Sequence, residues 1–558
     1  MRCNYLLAML LIISGLTQSA AQNWQRDSAY LNIKINNDTT TQVQNEEQIV
    51  MNPTDSMNLV AVWRDFRVGY RQVAYAYSLD GGLTWGQDLF FEPQYIWDSD
   101  PGLTVDSAGN FYAVILSYFS TSQPNGLFVY KSTDGGVSWS DPVTVINNVP
   151  DVFEDKELIA CDRSEGAYTD NLYVTWTRFG ADTDILMCRS TDGGSSFVGP
   201  VAVSDAGGVQ WPLPCVGSNS EVYVAWVQYT PACIRFDRSF DGGQTFGSDI
   251  TIQAVNSGSR YINGAIWVFS FPAMDADITG GQYDGNIYVT YMDDSPGFTD
   301  TDIYFTRSTD GGSTWSQKFR INDDPLNNGC DQFHPWLTVT PDGNIIVVYL
   351  DRRNDPGNLL MDLYMTTSTD AGNTWSQNER ISTVSCDPTA GSTFAGRMTN
   401  PKSLHQPMIL ADRAGLLGEY IGVTASSIDD IHPIWTDTRF GDQDVFAGVK
   451  DTSGPGIDEH ELPGANSPIV SVFPNPVRGR IAINIQVPQQ SLPLTNAHLT
   501  LFDISGRIKR DLLVNIPTTT WTAHWDLCDE HGNRVGTGVY FCTLLLGDAV
   551  ISTKFIVM

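Results

Sequence analysis

Six copies of one short motif constrain this chain more than any other feature of its sequence. The motif is an octet of the form S-x-D-x-G-x-[TS]-[WF], and its copies start 54, 58, 49, 69 and 60 residues apart. They occupy residues 78–85, 132–139, 190–197, 239–246, 308–315 and 368–375. Recurrence at such a spacing is typical of proteins built from repeated supersecondary units. The sequence therefore predicts a repeat architecture over most of the chain.

The residue types of the octet predict the turn of a β-hairpin. An aspartate carboxylate can accept the backbone N–H groups of a following tight turn, and glycine tolerates the positive φ angles of that turn. An extended run such as DIYFT precedes each copy, and the closing tryptophan or phenylalanine begins the next strand. We therefore predict a structural role for the six octet aspartates, Asp80, Asp134, Asp192, Asp241, Asp310 and Asp370.

A second strand rich in β-branched and aromatic residues precedes each hairpin, for example LVAVW at 59–63 and IIVVY at 345–349. A seventh pair of strands, at 432–439 and 444–449, lacks the octet. Four strands per unit of about 55 residues is typical of a β-propeller. The sequence thus predicts an all-β fold with a seven-bladed β-propeller, six blades being the alternative. Residues 30–36 are predicted to close the ring by pairing beside 444–449.

The octets resemble the Asp-box (BNR) repeats of the sialidase superfamily, and the resemblance covers residues 30–450. It implies a β-propeller whose Asp-box turns lie on the face opposite the active site of the enzymes. The motif is specific for the fold and unspecific for the chemistry, because a fold does not by itself define a function.

The two ends of the chain differ from the repeat region. Residues 1–22 are predicted to be a signal peptide, because a basic Arg2 precedes an apolar run at 6–16 and small residues at 19–21. We expect the propeller to span 23–450. Eight cysteines lie beyond the signal and permit disulfides in an exported chain, with Cys330–Cys386 and Cys528–Cys542 as the pairings to test.

A linker and a small second domain are predicted after the propeller. Residues 451–467 mix glycine, proline and acidic residues without periodicity, and 468–558 read as the short alternating strands of a β-sandwich. The landmarks FPNP at 473–476, LFDISGR at 501–507 and the terminal Lys554-Phe555 resemble a type A sorting domain of the type IX secretion system. That resemblance implies a Bacteroidota-like bacterium, export to the surface or medium, and the secretion machinery as a partner.

The charge of the chain excludes several kinds of partner. Lys and Arg number 32 against 64 Asp and Glu, giving a net charge of −32. An acidic surface repels phosphate, so nucleic acids and anionic membranes are poor partners. No later segment approaches the length of a transmembrane helix. We expect a monomeric protein, secreted or held at the outer cell surface.

An Asp/Arg pattern follows the second strand of three repeats and marks the predicted ligand face. If Arg67, Arg353 and Arg439 converge on the axis, they could bind a carboxylate through bidentate hydrogen bonds, as sialidases hold sialic acid. The alternative is a structural salt bridge repeated with the blade. The candidate ligand-binding residues are Arg67, Arg353 and Arg439 with their neighbours Asp65, Asp351 and Asp437.

The sequence also departs from the enzymes of that superfamily. It contains no Arg-Ile-Pro, and no motif places a nucleophilic tyrosine, its glutamate partner or an acid/base aspartate. The chain's glutamates near strand or loop ends are expected to be solvated rather than catalytic; they are Glu47, Glu154, Glu157 and Glu419. The catalytic residues therefore stay unknown, and so does whether the protein is an enzyme.

Two further kinds of site remain open. The acidic stretches 98–100, 275–277, 293–294 and 322–324 could supply oxygen ligands to Ca²⁺, although none has EF-hand spacing and no cofactor is required. Trp97 and Trp211 could stack on sugar rings, with core packing as the alternative. The leading prediction is recognition of an extracellular glycan or protein on the propeller face. An exo-sialidase-like glycoside hydrolase and an adhesin or surface structural component are the alternatives.

Overall fold

The computed structural model describes residues 28–451, except 92–94, 120–123, 298 and 391–416, and most of 469–557. In the second range, the segments 474–476, 478, 487–493, 504–506, 517–519, 530–531 and 547–548 are not described. The chain divides into two compact units, Met1–Asp451 and Thr452–Met558. Each unit is described by itself.

The first unit contains seven four-stranded antiparallel sheets among its described residues, referred to below as blades 1 to 7. Strand β1 (Tyr30–Lys34) comes first in the chain and belongs to blade 7. Blade 1 comprises β2 (Gln44–Asn52), β3 (Asp55–Asp65), β4 (Gln72–Ser78) and β5 (Gly86–Leu89). Blade 2 comprises β6 (Trp97–Val105), β7 (Phe111–Tyr118), β8 (Asn125–Ser132) and β9 (Val143–Asn147). Blade 3 comprises β10 (Phe153–Cys161), β11 (Leu172–Phe179), β12 (Thr183–Ser190) and β13 (Val198–Ala202).

The remaining blades follow in chain order. Blade 4 comprises β14 (Val209–Val216), β15 (Val222–Tyr229), β16 (Ala232–Ser239) and β17 (Ile250–Ala254). A separate hairpin follows, with β18 (Ser259–Ile262), a 3-10 turn (Asn263–Ala265) and β19 (Ile266–Phe269). Blade 5 comprises β20 (Ala273–Ala276), β21 (Ile287–Asp294), β22 (Thr301–Ser308) and β23 (Phe319–Arg320). Blade 6 comprises β24 (Gln332–Val339), β25 (Ile345–Asp351), β26 (Asp362–Ser368) and β27 (Glu379–Arg380). Blade 7 comprises β28 (Gly422–Ser427), β29 (Asp430–Asp437), β30 (Asp444–Lys450) and β1.

The blades form a closed ring. The innermost strand of each blade contacts the innermost strand of the next, and β28 of blade 7 contacts β2 of blade 1. Strand β1 pairs antiparallel with β30, from Tyr30 opposite Lys450 to Lys34 opposite Phe446. The prediction that the start of the chain completes the last sheet is therefore confirmed, and so is the all-β propeller fold. Closure protects sheet edges that would otherwise be exposed.

The core lies between the blades, on strands that carry bulky side chains at matching places. Trp63, Trp176, Trp226 and Trp435 sit near the ends of the second strands of their blades and are fully buried. Three of these indoles also donate to a carboxylate, Trp63 to Asp65, Trp176 to Glu154 and Trp435 to Asp437. Burial of a large ring stabilises a blade, and the hydrogen bond satisfies its polar edge.

Each octet forms the predicted turn between the third and fourth strands of its blade. In the copy at 308–315, Oδ1 of Asp310 accepts the backbone N–H of Thr314 at 2.8 Å and Oδ2 accepts its hydroxyl at 2.6 Å. The Ser308 hydroxyl donates to the same carboxylate and accepts the backbone N–H of Gly312. Gly312 has φ +83, and a Cβ there would overlap the Phe236 ring of the preceding blade.

A basic residue before the octet joins each of four blades to the next. Lys131 donates to the carbonyl of Gly193 at 3.1 Å, and Arg189 donates to the carbonyl of Gly243 at 3.2 Å. Arg238 and Arg307 make the same contact with Gly311 and Ala371. In blade 6 the equivalent residue is Thr367, and the following blade has no octet to receive such a bond. The contact therefore follows the octet pattern of the sequence.

The second unit is a β-sandwich. One sheet contains β31 (Ile469–Phe473), β32 (Ile481–Gln486) and β35 (Thr520–Trp525). The other contains β33 (Leu494–Asp503), β34 (Ile508–Ile516), β36 (Gly538–Leu546) and β37 (Ala549–Val557). Its core includes Trp525, Tyr540 and Phe555. The FPNP proline pair and part of LFDISGR lie outside the described residues. In the described parts of both units, no helix has the length and apolar character needed to cross a membrane.

The cysteines do not pair as expected. The eight cysteines among the described residues are free thiols, so the pairings Cys330–Cys386 and Cys528–Cys542 are wrong. The thiol of Cys386 donates to Asp437 at 2.9 Å, and Cys542 is fully buried inside the sandwich core. Their spacing along the sequence carried no information about these separate environments.

Candidate functional site

The three predicted arginines are each paired with an aspartate two residues earlier. Arg67 contacts Asp65 at 2.7 Å, and Arg353 contacts Asp351 at 2.8 Å. Arg439 makes a bidentate pair with Asp437, at 2.9 Å from Nε and 2.6 Å from Nη2. The carboxylates of these pairs are buried, and each also accepts the backbone N–H of its arginine.

These arginines extend toward the outer strands. Arg67 donates to Gln87 on β5, the outermost strand of blade 1. Arg439 donates to Asn32 on β1, the outermost strand of blade 7, at 2.9 Å. Arg353 donates to Asn378, immediately before β27, at 3.0 Å. The geometry thus fits the alternative of a repeated structural salt bridge and gives the three guanidinium groups no common focus.

The axis of the ring carries a different repeated feature, a bulge near the start of the innermost strand. In five blades one residue of this bulge has a positive φ although it is not glycine: Glu46, Asp100, Lys156, Trp211 and His334, with φ between 49 and 66. The pairing register with the second strand shifts at each of these places. Left-handed backbone at a non-glycine residue costs roughly 1–3 kcal/mol and is concentrated at functional sites. Because this backbone conformation is unfavourable, it persists only where the surrounding fold holds these five residues in it.

The bulges lie at the end of the blades opposite the octet turns. In blade 1, Gln44 pairs with Asp65 and Asp65 pairs with Gln72, whereas the octet begins at Ser78, which pairs with Leu59. The loops that join second to third strands, and with them the predicted Asp/Arg pattern, share the end that carries the bulges. We call this end the loop face.

Charged side chains from four blades meet at the axis in what we call the axial cluster: Glu46, Arg64, Asp100, Asp155, Lys156 and Glu419. Lys156 contacts Asp100 at 3.2 Å, and it donates a hydrogen bond to Glu419. Arg64 contacts Glu46 at 2.8 Å. The cluster thus holds four carboxyl groups and two cations.

The groups of the cluster have divergent pKa values. Burial would raise the pKa of Asp100, but Lys156 and a hydrogen bond with Glu46 lower it well below its ordinary value. Burial raises the pKa of Glu46 well above its ordinary value and that of Asp155 to about 8. Burial would lower the pKa of Lys156, but Asp100 and Glu419 raise it well above its ordinary value. At neutral pH, Lys156 and Asp100 are therefore charged, and some neighbouring carboxyl groups keep their protons.

A small cavity of about 20 Å³, open at its mouth, adjoins the cluster. Its walls are mainly aromatic, with Trp211, Phe271, Trp336 and Tyr420, and its charged lining residues are Lys156 and Glu157. Trp211 and Phe271 stack with centroids 5.1 Å apart, and Nζ of Lys156 lies 4.7 Å from the Trp211 centroid. We call this space the axial cavity.

Glu157 is the least satisfied group of the axial cavity. Its carboxyl is buried, and neither oxygen has a hydrogen-bond partner. Burial, followed by the charge of Asp100, raises the pKa of Glu157 well above its ordinary value. A buried carboxyl without a partner costs about 1–3 kcal/mol, which a bound polar ligand would recover. Glu157 is thus placed to exchange hydrogen bonds with a ligand in the cavity.

The expectation that the four glutamates are solvated is wrong. Glu47, Glu154, Glu157 and Glu419 are all buried. Glu47 accepts hydrogen bonds from Thr436, and Glu154 pairs with Arg178 at 2.5 Å.

The other sequence-predicted candidates have separate surroundings. Trp211 lines the axial cavity, whereas Trp97 packs edge-on against Tyr118. Of the acidic stretches, Asp293 pairs with Lys318 and Asp294 with Arg260, both at 2.5 Å. Within the described residues, no group of three or more His, Cys, Asp or Glu side chains is arranged to hold a metal ion.

A comparison with protein families identifies part of the chain. Residues 471–558 match the family described as secretion system C-terminal sorting domain. The protein is therefore exported through the type IX secretion system to the outer surface or the medium, and its sorting domain engages that machinery. The comparison with curated proteins found no match.

Several solved structures are similar to this chain at low identity. A protein of unknown function from Dyadobacter fermentans DSM 18053 has 14% identity and a TM-score of 0.40, over 57% of this chain and 93% of that one. A leech intramolecular trans-sialidase has 13% identity and a TM-score of 0.42, over 57% and 67% of the two chains. The GH93 α-L-arabinofuranosidase of Fusarium graminearum has 14% identity and a TM-score of 0.40, over 58% and 93%.

Proposed function

We propose that this exported protein recognises an extracellular glycan at the mouth of the axial cavity. The observation that carries the proposal is the pairing of aromatic walls with a buried, unpartnered carboxyl, Glu157. Sugar rings present apolar C–H faces that pack on aromatic side chains, and their hydroxyls need hydrogen-bond partners. Ligand sites typically combine such apolar walls with a few polar groups. Export brings the loop face into contact with extracellular carbohydrate.

The ligand we propose is uncharged. Both cations of the axial cluster, Lys156 and Arg64, are already ion-paired with carboxyl groups, so neither is free to hold the carboxylate of a sialic or uronic acid. The arginines that would hold such a carboxylate are already paired with Asp65, Asp351 and Asp437. We therefore expect no turnover of a fluorogenic sialoside.

The same proposal includes the origin and processing of the chain. The apolar run at 6–16 supports cleavage of a signal peptide after residues 19–21, which lie outside the described residues. The sorting domain supports a Bacteroidota-type source, and the six octets support membership of the propeller in the Asp-box (BNR) class.

Replacing Trp211 by alanine in the full chain should weaken glycan binding at least about tenfold, because a buried aromatic contact is worth about 2 kcal/mol at a binding hot spot. A glycan array identifies the bound class, and calorimetry with that glycan measures the affinity. Trp139, a half-buried tryptophan of an octet turn, supplies the control variant Trp139→Ala, which should bind normally. Absence of any bound glycan, or equal weakening in both variants, would contradict the proposal and favour an adhesin or structural component.

Glycoside hydrolysis is a second candidate, favoured by the opposite pKa shifts of two carboxyl groups: the pKa of Glu157 is raised and that of Asp100 is lowered. A carboxylic acid in an apolar pocket can protonate a glycosidic oxygen, while a nearby carboxylate can serve as base or nucleophile. Glu157→Gln keeps the hydrogen-bonding shape of the side chain but cannot transfer a proton. If the protein is a hydrolase, this variant should lose about 10²–10⁴-fold in rate on the array-selected oligosaccharide while retaining affinity. If the wild type binds the oligosaccharide but does not hydrolyse it, recognition is the only function that the experiment supports.

A further inference from the structure

The hairpin of β18 and β19 interrupts the blade pattern between β17 and β20. Its strands pair from Ser259 opposite Phe269 to Ile262 opposite Ile266, and they belong to neither neighbouring blade. Because chain segments between an outermost strand and the next innermost strand run on the loop face, the hairpin lies at the same end as the axial cavity.

The two faces of this hairpin have different surroundings. Ile262, Ile266 and Val268 are buried in the core cluster that contains blade 6. Tyr261 and Trp267 are cross-strand partners on the other face, with ring centroids 5.6 Å apart and planes inclined by only 19°. Tyr261 is 57% exposed, so its ring is available to solvent.

Contacts at the tip and the base of the hairpin hold it in place. The fully buried Arg352 donates to the carbonyl of Asn263 at 3.0 Å, and Asn263 donates to the carbonyl of Gly357 at 3.2 Å. At the base, Arg260 pairs with Asp294 at 2.5 Å. A platform that is already ordered loses little conformational entropy when a ligand binds.

The rings of the hairpin continue into the axial cavity. Trp267 lies 4.9 Å from Phe269, and Phe269 lies 5.2 Å from Trp211, measured between ring centroids. Trp211 lines the cavity. One row of aromatic side chains therefore leads from the exposed Tyr261 to the proposed ligand site. We call this row the aromatic platform.

We propose that the aromatic platform is an extended subsite for the outer sugar units of a neutral oligosaccharide whose terminal unit lies at the mouth of the axial cavity. This inference rests on the proposed function and adds the chain length and the direction of the ligand. Tyr261 is the one large apolar side chain of the hairpin that is strongly exposed. A single ring suits a sugar unit, whereas a stable protein interface needs about 800 Å² from each partner.

The test compares affinity with ligand length for the full chain. Calorimetry with neutral gluco-, manno- and xylo-oligosaccharides, from disaccharide to hexasaccharide, should show wild-type affinity rising with length in the series that binds. Tyr261→Ala should remove this gain, weakening the longest ligand about 2- to 10-fold and leaving the disaccharide unchanged, since a well-placed aromatic contact is worth about 0.5–1.5 kcal/mol. Because Tyr261 is exposed, the variant should fold normally.

Phe240→Ala is the matched control, since Phe240 is 66% exposed on an octet turn at the opposite end of blade 4. It should bind every length as the wild type does. The platform would be overturned, and the axial site would stand, if Trp211→Ala abolished disaccharide binding while Tyr261→Ala changed the affinity for no ligand length. Failure of the wild type to bind any series would overturn both. An equal loss in Phe240→Ala would also overturn the platform.

Discussion

Deletion of residues 28–36 should lower the free energy of unfolding of the propeller by about 5 kcal/mol. The segment contributes Tyr30 and Ile35, which are only 3% and 2% exposed, and burial of each such side chain is worth about 1.5–3 kcal/mol. It also contributes the β1–β30 ladder, including the bond from Ile35 N–H to the Val445 carbonyl at 2.9 Å. Backbone hydrogen bonds add about 0.5–1.5 kcal/mol each.

The deletion should also change the state of association. Without β1, strand β30 becomes a sheet edge, and Asp444 and Val445 lose their hydrogen bonds with Asn36, both 2.8 Å long. An unprotected edge pairs readily with another chain. Urea unfolding measures the stability and gel filtration the association. Thr39→Ala with Thr41→Ala, at exposed positions after the segment, is the control. An unchanged unfolding midpoint in the deletion would mean that blade 7 needs no fourth strand.

The fold was predictable because its signal is local and repeated. Each octet encodes its turn by its own residues, and the similarity of YLNIKINND at 30–38 to QKFRINDD at 317–324 identified the segment that closes the ring. The widest spacing, 69 residues between the octets at 239 and 308, also marked the place of the extra hairpin. No local pattern in this segment revealed that Tyr261 and Trp267 lie on the same face of the hairpin.

The site was not predictable, because it depends on side chains that meet only after the ring closes. The Asp/Arg pattern was visible in the sequence, but nothing in it distinguished an inward guanidinium from one that contacts the outer strands. Lys156 and Glu157 carry no motif. A weak signal existed in the prolines that follow Asp100, Trp211, Phe271 and His334, near the start of four innermost strands. A non-glycine residue at positive φ before proline is unusual, and in Asp100, Trp211 and His334 the structure explains it by the bulge.

The stability of the propeller should fall as the pH rises from about 5 to about 8, and Glu47 should account for much of this dependence. Glu47 is fully buried beside the junction of blades 1 and 7, where Thr436 donates to its carboxyl at 2.9 Å. Burial raises the pKa of Glu47 to about 8, although the bond from Thr436 acts in the opposite direction. In an unfolded chain the same carboxyl titrates near its ordinary value of about 4.3.

The direction of the effect follows from proton binding. Between the unfolded and folded pKa values of Glu47, the folded state holds a proton that the unfolded chain has released. The free energy of unfolding therefore decreases with pH over this window, by about 1.4 kcal/mol per pH unit for one group. The stabilisation by Glu47 is complete below its unfolded pKa and is lost as the pH rises through its folded pKa of about 8.

Glu47→Gln separates this effect from that of the titrating groups of the axial cluster. Glutamine is always neutral and can still accept the hydroxyl of Thr436, so the variant should gain about 4 kcal/mol relative to the wild type between about pH 5 and about pH 8. Urea unfolding at several pH values measures the two slopes, and Asp141→Asn, at an exposed position, should keep the wild-type slope. Parallel slopes for the wild type and Glu47→Gln would show that Glu47 is ionised in the folded protein. The ring junction would then hold a buried charge, and the stability of its closure would depend on a compensating cation such as Arg64, which acts on Glu47 electrostatically.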